Sequence, residues 1–147
     1  MLMAESAQAP LPAVNFLYFD EVGNGYLKGA RCIDCGAVAP GDRLVCNACG
    51  ARARMESVRL SERGTLYSYT IVHRSFPGVR TPFIAVIVDL DGGGALKGTL
   101  LGVKEDPREI RYGMPVKVVY RDTGQTSPEG RPFCSYYFVP SGMSPDE

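Results

Sequence analysis

Four of the five cysteines stand in two pairs, Cys32-Ile33-Asp34-Cys35 and Cys46-Asn47-Ala48-Cys49, each followed directly by a glycine, Gly36 and Gly50. Two residues between thiolates let a tight turn aim both sulfurs at one ion, and the glycine permits the backbone bend beneath it. Two such knuckles complete a tetrahedral set, so the spacing predicts one structural Zn2+ per chain on Cys32, Cys35, Cys46 and Cys49. The ten-residue spacer from Gly36 to Val45 is shorter than the ~15–20 residues of the generic two-knuckle template, but it accommodates a short hairpin about Pro40-Gly41. Four thiolates suit iron as well as zinc, and metal analysis separates the two. Disulfides are not expected, because Met1 to Pro12 shows no basic stretch followed by an apolar one and a cytoplasmic location is expected instead. A redox dithiol would need only one pair, on a βαβ pattern that the sequence lacks. A closed four-thiolate site offers no open coordination position, so the metal is expected to hold a fold and not to catalyse.

Other residues with chemistry available are fewer. His73 is the single histidine. No local nucleophile signature accompanies it and no carboxylate is placed to orient it, so a structural or ligand-contact role is expected. Cys134, in Phe133-Cys134-Ser135-Tyr136-Tyr137-Phe138, reads as a buried small hydrophobe. Asp91-Gly92-Gly93-Gly94 is a turn, since no phosphate-loop pattern opens a helix there. The most promising ligand surface is the loop from His73 to Pro82 together with Lys97. There Arg74, Arg80 and Lys97 offer charge to phosphates, while Phe76 and Tyr69 offer aromatic faces to a base or a pantetheine arm.

These residues need a scaffold, and the remaining pattern predicts a mainly β chain. Gly and Pro number 17 and 11 of 147 residues, which implies many tight turns. Residues 1–13 are small and Pro/Ala-rich and are expected to fray. Residues 14–29 are expected to hold a short N-terminal helix, because Val14, Leu17 and Tyr18, and Phe16 and Phe19, recur at spacings of three and four before Gly23-Asn24-Gly25. Its aromatics must lie on the rest of the chain or on a partner, and Phe16, Leu17 and Phe19 are the candidate docking residues. The knuckles occupy residues 30–53. Arg52, Arg54, Arg59 and Arg63 follow in a connector that reads as solvated. From residue 54 to 140 the pattern becomes five strands: Thr65 to His73, with Tyr67, Tyr69, Ile71 and His73 on one face; Phe83 to Leu90; Ala95 to Val103; Pro115 to Arg121; and Pro132 to Val139. A helical or irregular connection spans Pro107 to Gly113. That order matches an OB-fold barrel, and residues 141–147 are expected to be a flexible end. With its own core, the barrel is expected to stay largely formed when Cys32 or Cys46 is replaced by serine. Sixteen basic residues balance sixteen acidic ones, which gives no long-range field for a phosphate polymer or anionic bilayer. No run approaches a membrane span. Neither nucleic acid nor membrane is expected as a partner.

The order Gly25-Tyr26-Leu27, Cys32-x-x-Cys35-Gly36, a proline, Cys46-x-x-Cys49-Gly50, then Arg63-Gly64-Thr65-Leu66-Tyr67-Ser68-Tyr69-Thr70-Ile71-Val72-His73-Arg74 resembles the zinc-ribbon/OB-fold acyl-CoA-associated proteins. Leu100-Leu101-Gly102-Val103 and Tyr112-Gly113-Met114-Pro115-Val116-Lys117-Val118 extend the likeness, which runs from Phe16 to Phe138. The run after the ribbon is its most specific part. The resemblance implies a rubredoxin-like zinc ribbon followed by a five-stranded OB barrel. It further implies a non-catalytic subunit of a thiolase-fold enzyme: a thiolase, a 3-hydroxy-3-methylglutaryl-CoA synthase system or a retro-aldolase. Within such a complex the barrel would help form the CoA or acyl-CoA channel, and aromatic or steroid-derived thioesters are the suggested setting. The four ribbon cysteines carry over residue by residue. The CoA-contact set of Tyr69, His73, Arg74, Phe76, Arg80 and Lys97 rests on residue chemistry alone. The competing class is a nucleic-acid-binding ribbon and OB module, which the neutral charge balance disfavours.

Overall fold

Short apolar-polar alternations between glycine and proline turns leave the backbone little choice but strands. The computed structural model describes residues 9–143. It contains ten strands: β1 (Leu11–Pro12), β2 (Leu17–Phe19), β3 (Gly25–Cys32), β4 (Val38–Pro40), β5 (Met55–Arg59), β6 (Arg63–Val72), β7 (Phe83–Leu90), β8 (Ala95–Leu100), β9 (Pro115–Thr126) and β10 (Pro132–Pro140). Among the described residues the helical content is one 3-10 turn, Pro107–Glu109.

Strands β6 to β10 close a barrel. Antiparallel pairs join β6 to β7, β7 to β8, β9 to β10 and β6 to β9, and a parallel contact of Phe138 with Leu100 joins β10 to β8. This is the strand order expected for an OB fold, with the 3-10 turn between its third and fourth strands. The ribbon is a second sheet, in which β3 pairs with β2, β4 and β5. One apolar core runs through both: Leu17, Leu27 and Leu60 belong to the same buried cluster as Leu66, Val88, Val116 and Phe138.

The N-terminal helix expected over residues 14–29 does not form. Leu17–Phe19 and Gly25–Cys32 make a hairpin instead, turned at residues 20–24, where the Asp20 carboxylate accepts from the backbone N–H groups of Val22 and Asn24 at 2.9 and 2.8 Å. Isolated short helices are marginal, whereas β3 supplies a ready ladder for Leu17, Tyr18 and Phe19, two of them aromatic residues that favour strands. The alternation of buried Leu17, exposed Tyr18 and half-buried Phe19 fits a strand as well as a helix. Residues 11–13, expected to fray, are tied down: Leu11 and Pro12 lie parallel to Phe133 and Cys134, and the Ala13 N–H donates to the Cys134 carbonyl at 2.8 Å. Residues 1–8 and 144–147 lie outside the described residues, and so does most of the flexible end expected at 141–147.

A second correction concerns β6. Tyr67 and Tyr69 do not share a face, because the register with β7 slips between Leu66 and Ser68. A bulge there re-phases the strand, so Leu66 is buried and Tyr69 and Ile71 pack on the core while Tyr67 is 64% exposed.

Candidate metal centre and barrel mouth

Each knuckle is built by its own backbone. The Gly36 N–H donates to the Cys32 carbonyl and the Gly50 N–H to the Cys46 carbonyl, at 2.8 and 2.9 Å. Both glycines have φ of +80°, a left-handed conformation that a side chain would strain. Cys32 and Cys46 then donate their own N–H groups to Ala37 and Ala51, giving two matching loops that face one another. All four sulfurs lie within 4.8 Å of each other. Cys32 and Cys49 Sγ are 3.7 Å apart and Cys35 and Cys46 Sγ 3.6 Å apart, whereas a disulfide requires about 2.05 Å. Four sulfurs each ~2.3 Å from one ion define a tetrahedron of edge about 3.8 Å, so the cluster fits a zinc ribbon. Cys32 and Cys46 are buried, while Cys35 and Cys49 are exposed. The backbone N–H groups of Cys49 and Ala48 hold the Cys46 thiol down, to about 6. They favour a thiolate at Cys46, while the Cys35 and Cys49 thiols, against the pull of backbone N–H groups, are raised by the crowding of neighbouring sulfurs.

The expected ligand rim divides. His73, Arg74, Phe76 and Arg80 all project from the exposed β6–β7 loop, with Phe76 82% exposed. Tyr69 sits back in β6, its ring 5.4 Å from that of Tyr112, an exposed residue outside the expected ligand set. Lys97 lies elsewhere, opposite Ile87 on β7, four residues or about 13 Å from Phe83 at the loop base. Its carbonyl accepts from the Tyr136 hydroxyl.

Beside the loop lies an open groove of about 660 Å³. Its apolar wall includes Val79, Pro82, Leu101, Val103 and Tyr137, with Arg80 at the edge. Of the six ligand residues expected, Arg80 alone lines it. Leu101 and Val103 fall within the strand expected over Ala95 to Val103, whereas β8 ends at Leu100 and releases them into the barrel mouth. A second groove, of about 610 Å³, separates the β2–β3 hairpin from β9 and β10. Tyr120 donates there to Glu62 at 2.7 Å, and burial followed by the Glu62 carboxylate drives its phenol well above the ordinary range. Cys134 lies half-buried in this second groove, with burial and then the Asp122 charge raising its thiol.

Of the three expected docking residues, Leu17 is only 2% exposed and turns into the core, so it offers nothing to a partner. Phe16 and Phe19 are half-buried against the same core, and Phe16 lies 5.6 Å from the Tyr136 ring. The hairpin that replaced the helix spends these side chains on joining ribbon to barrel.

Residues 57–121 match the family described as ChsH2, C-terminal OB-fold domain. A DUF35 domain-containing scaffold protein of Methanocaldococcus jannaschii is 30% identical over 117 residues, covering 78% of this chain and 81% of that protein. This chain belongs to the DUF35 family. The DUF35 likeness extends to a solved chain of the Ltp2-ChsH2(DUF35) aldolase, with a TM-score of 0.59, 28% identity, and coverage of 79% of this chain and 85% of that one. A shorter match joins this DUF35 protein to the benzoylsuccinyl-CoA thiolase subunit BbsA of Geobacter metallireducens, 38% identical over 68 residues, which is 46% of this chain and 45% of that subunit.

Proposed function

We propose that this chain is a non-catalytic scaffold subunit that assembles with a thiolase-fold enzyme and helps form its acyl-CoA channel. The observation that carries this reading is the likeness over four-fifths of the chain to the DUF35 partner in an aldolase, reinforced by the match to a thiolase subunit that acts in benzoylsuccinyl-CoA chemistry. The geometry supports it. The groove at the barrel mouth has an apolar wall, carries Arg80, Glu105, Arg121 and Asp122 on the rest of its lining, and is open on one side, so a thioester lying in it would be enclosed only when a second protein covers it. Arg80 stands at that opening, where it would meet phosphates, and Arg74 and Phe76 belong to the same exposed loop.

Zinc is the proposed occupant of Cys32, Cys35, Cys46 and Cys49. Bound there it would supply a rigid cross-link between the two knuckles, and its ligand sphere would be full. The proposed setting is cytoplasmic; no helix among the described residues is long and apolar enough to cross a membrane. Condensation or cleavage, and the identity of the acyl chain, belong to the catalytic partner.

Co-expression with a candidate thiolase-fold partner from the same organism, followed by native mass spectrometry and acyl-CoA turnover, tests the proposal. A hetero-oligomer with activity above that of the partner alone is expected. Two proteins that separate, with partner activity unchanged, or turnover by this chain unaided, would refute it.

A further inference from the structure

The ribbon sheet has a face turned away from the barrel. On β3, Leu27 is fully buried and Gly29 packs on Leu60, so the alternate residues Tyr26 and Lys28 point outward. Tyr18 is the register partner of Tyr26, and Arg59 that of Lys28. The two tyrosine rings stack at 6.0 Å and 26°. The Lys28 ammonium lies 4.9 Å from the centre of the Tyr18 ring, and the Arg59 guanidinium carbon 4.2 Å from that of Tyr26. Four residues thus form one strip, with a cation at each of two ring faces.

Lys28 and Arg59 are like charges directly across a strand pair, an arrangement that disfavours the sheet. Neither forms an ion pair among the described residues. The same two strands neutralise another cross-strand position properly, with Arg31 2.9 Å from Glu56. Aromatic rings hold the two cations in place without cancelling their charge.

We infer that this strip is a docking surface for an acidic segment of the catalytic subunit, an inference that rests on the scaffold reading above. Carboxylates from a partner would relieve the like-charge pair, and tyrosine and arginine are the side chains that most often anchor protein interfaces. Tyr18, Tyr26 and Lys28 stand outside both grooves described above, on a sheet face that suits a protein surface better than a small ligand. Single-stranded nucleic acid fits poorly, because bases need open ring faces and here cations and the neighbouring ring already cover them.

The test uses the full-length chain and its thiolase-fold partner, with affinity measured across a salt series. Lys28→Gln with Arg59→Gln keeps the side-chain stems and should weaken assembly roughly tenfold at low salt while flattening its salt dependence. Lys28→Glu with Arg59→Glu should weaken it further. Zinc content and melting temperature report whether each variant remains folded. Unchanged affinity in both folded variants would overturn this surface and leave the scaffold reading standing. Failure of the unaltered chain to assemble would remove both. A mobility shift of a single-stranded oligonucleotide by the unaltered chain, lost in the glutamine variant, would overturn the acidic-protein partner in favour of nucleic acid.

Discussion

Cys32 and Cys46 are the buried half of the metal cluster, and Cys35 and Cys49 its exposed half. Replacing Cys46 by serine removes one thiolate of four, together with the sulfur to which the Ala48 N–H donates at 3.4 Å. The variant should retain no zinc and lose several kcal/mol of stability, since metal binding is folding free energy in such modules. Metal analysis and thermal melts read both. Cys134→Ser is the control: that thiol lies in the second groove, away from the cluster. It should keep one zinc per chain and change stability by no more than about 1 kcal/mol. Zinc lost from Cys134→Ser would contradict the assignment of ligands. At the barrel mouth, Arg74→Ala combined with Arg80→Ala should raise KM for acyl-CoA in the assembled complex roughly tenfold with little change in kcat, as expected for contacts made equally in ground and transition states. An unchanged KM would remove these two residues from the channel.

Among elements, the β2–β3 hairpin meets β9 closely at one point, Gly25 against Tyr120. A Cβ on Gly25 would stand 2.9 Å from two carbons of the Tyr120 ring, so Gly25→Ala must displace either the ring or the hairpin. A loss of about 1–3 kcal/mol is expected in denaturant melts. The tyrosines along this region also set the response to alkali. Burial pushes the Tyr136 phenol up to about 12, and burial with Glu62 raises Tyr120 further. The ordinary value is about 10, so the fold favours the protonated phenol. Stability from this source is fully present below about pH 10 and is lost as pH rises through 12. Tyr136→Phe removes the hydroxyl that donates to Lys97 and should cost about 1 kcal/mol at neutral pH. In return its melting temperature should fall less steeply than the parent's between pH 10 and 12. Parallel curves would mean that the Tyr136 phenol does not titrate with unfolding.

For the molecule as a whole, ribbon and barrel share one core, and this alters what loss of the metal does. An independent barrel would survive a collapsed ribbon, as the strand pattern alone implied. Leu17, Leu27 and Leu60 instead close the apolar surface of the barrel. Metal removal by a chelator should therefore lower the melting temperature of the barrel strands as well, and zinc release and loss of tertiary signal should coincide in one transition. Leu27→Ala should destabilise both parts together by about 2–5 kcal/mol. Two separated transitions would show that the core is divided after all.

Local chemistry made much of this protein legible in its sequence. Thiolate spacing and the following glycines specify the cluster, because two knuckles can reach one ion only in such a geometry. Strand alternation and turn residues specify five barrel strands in OB order, since each signal is contained within the segment it describes. Tertiary structure alone decided the rest. Residues 14–22 satisfy a helical and a strand period alike, and the choice fell to β3, whose open edge lies beyond the reach of local pattern. The bulge at Tyr67 reverses the phase of β6 through its register with β7. Lys28 and Arg59, distant in the chain, become a like-charged pair on stacked tyrosines only when β5 returns to β3, because charge and ring geometry are properties of neighbours in space.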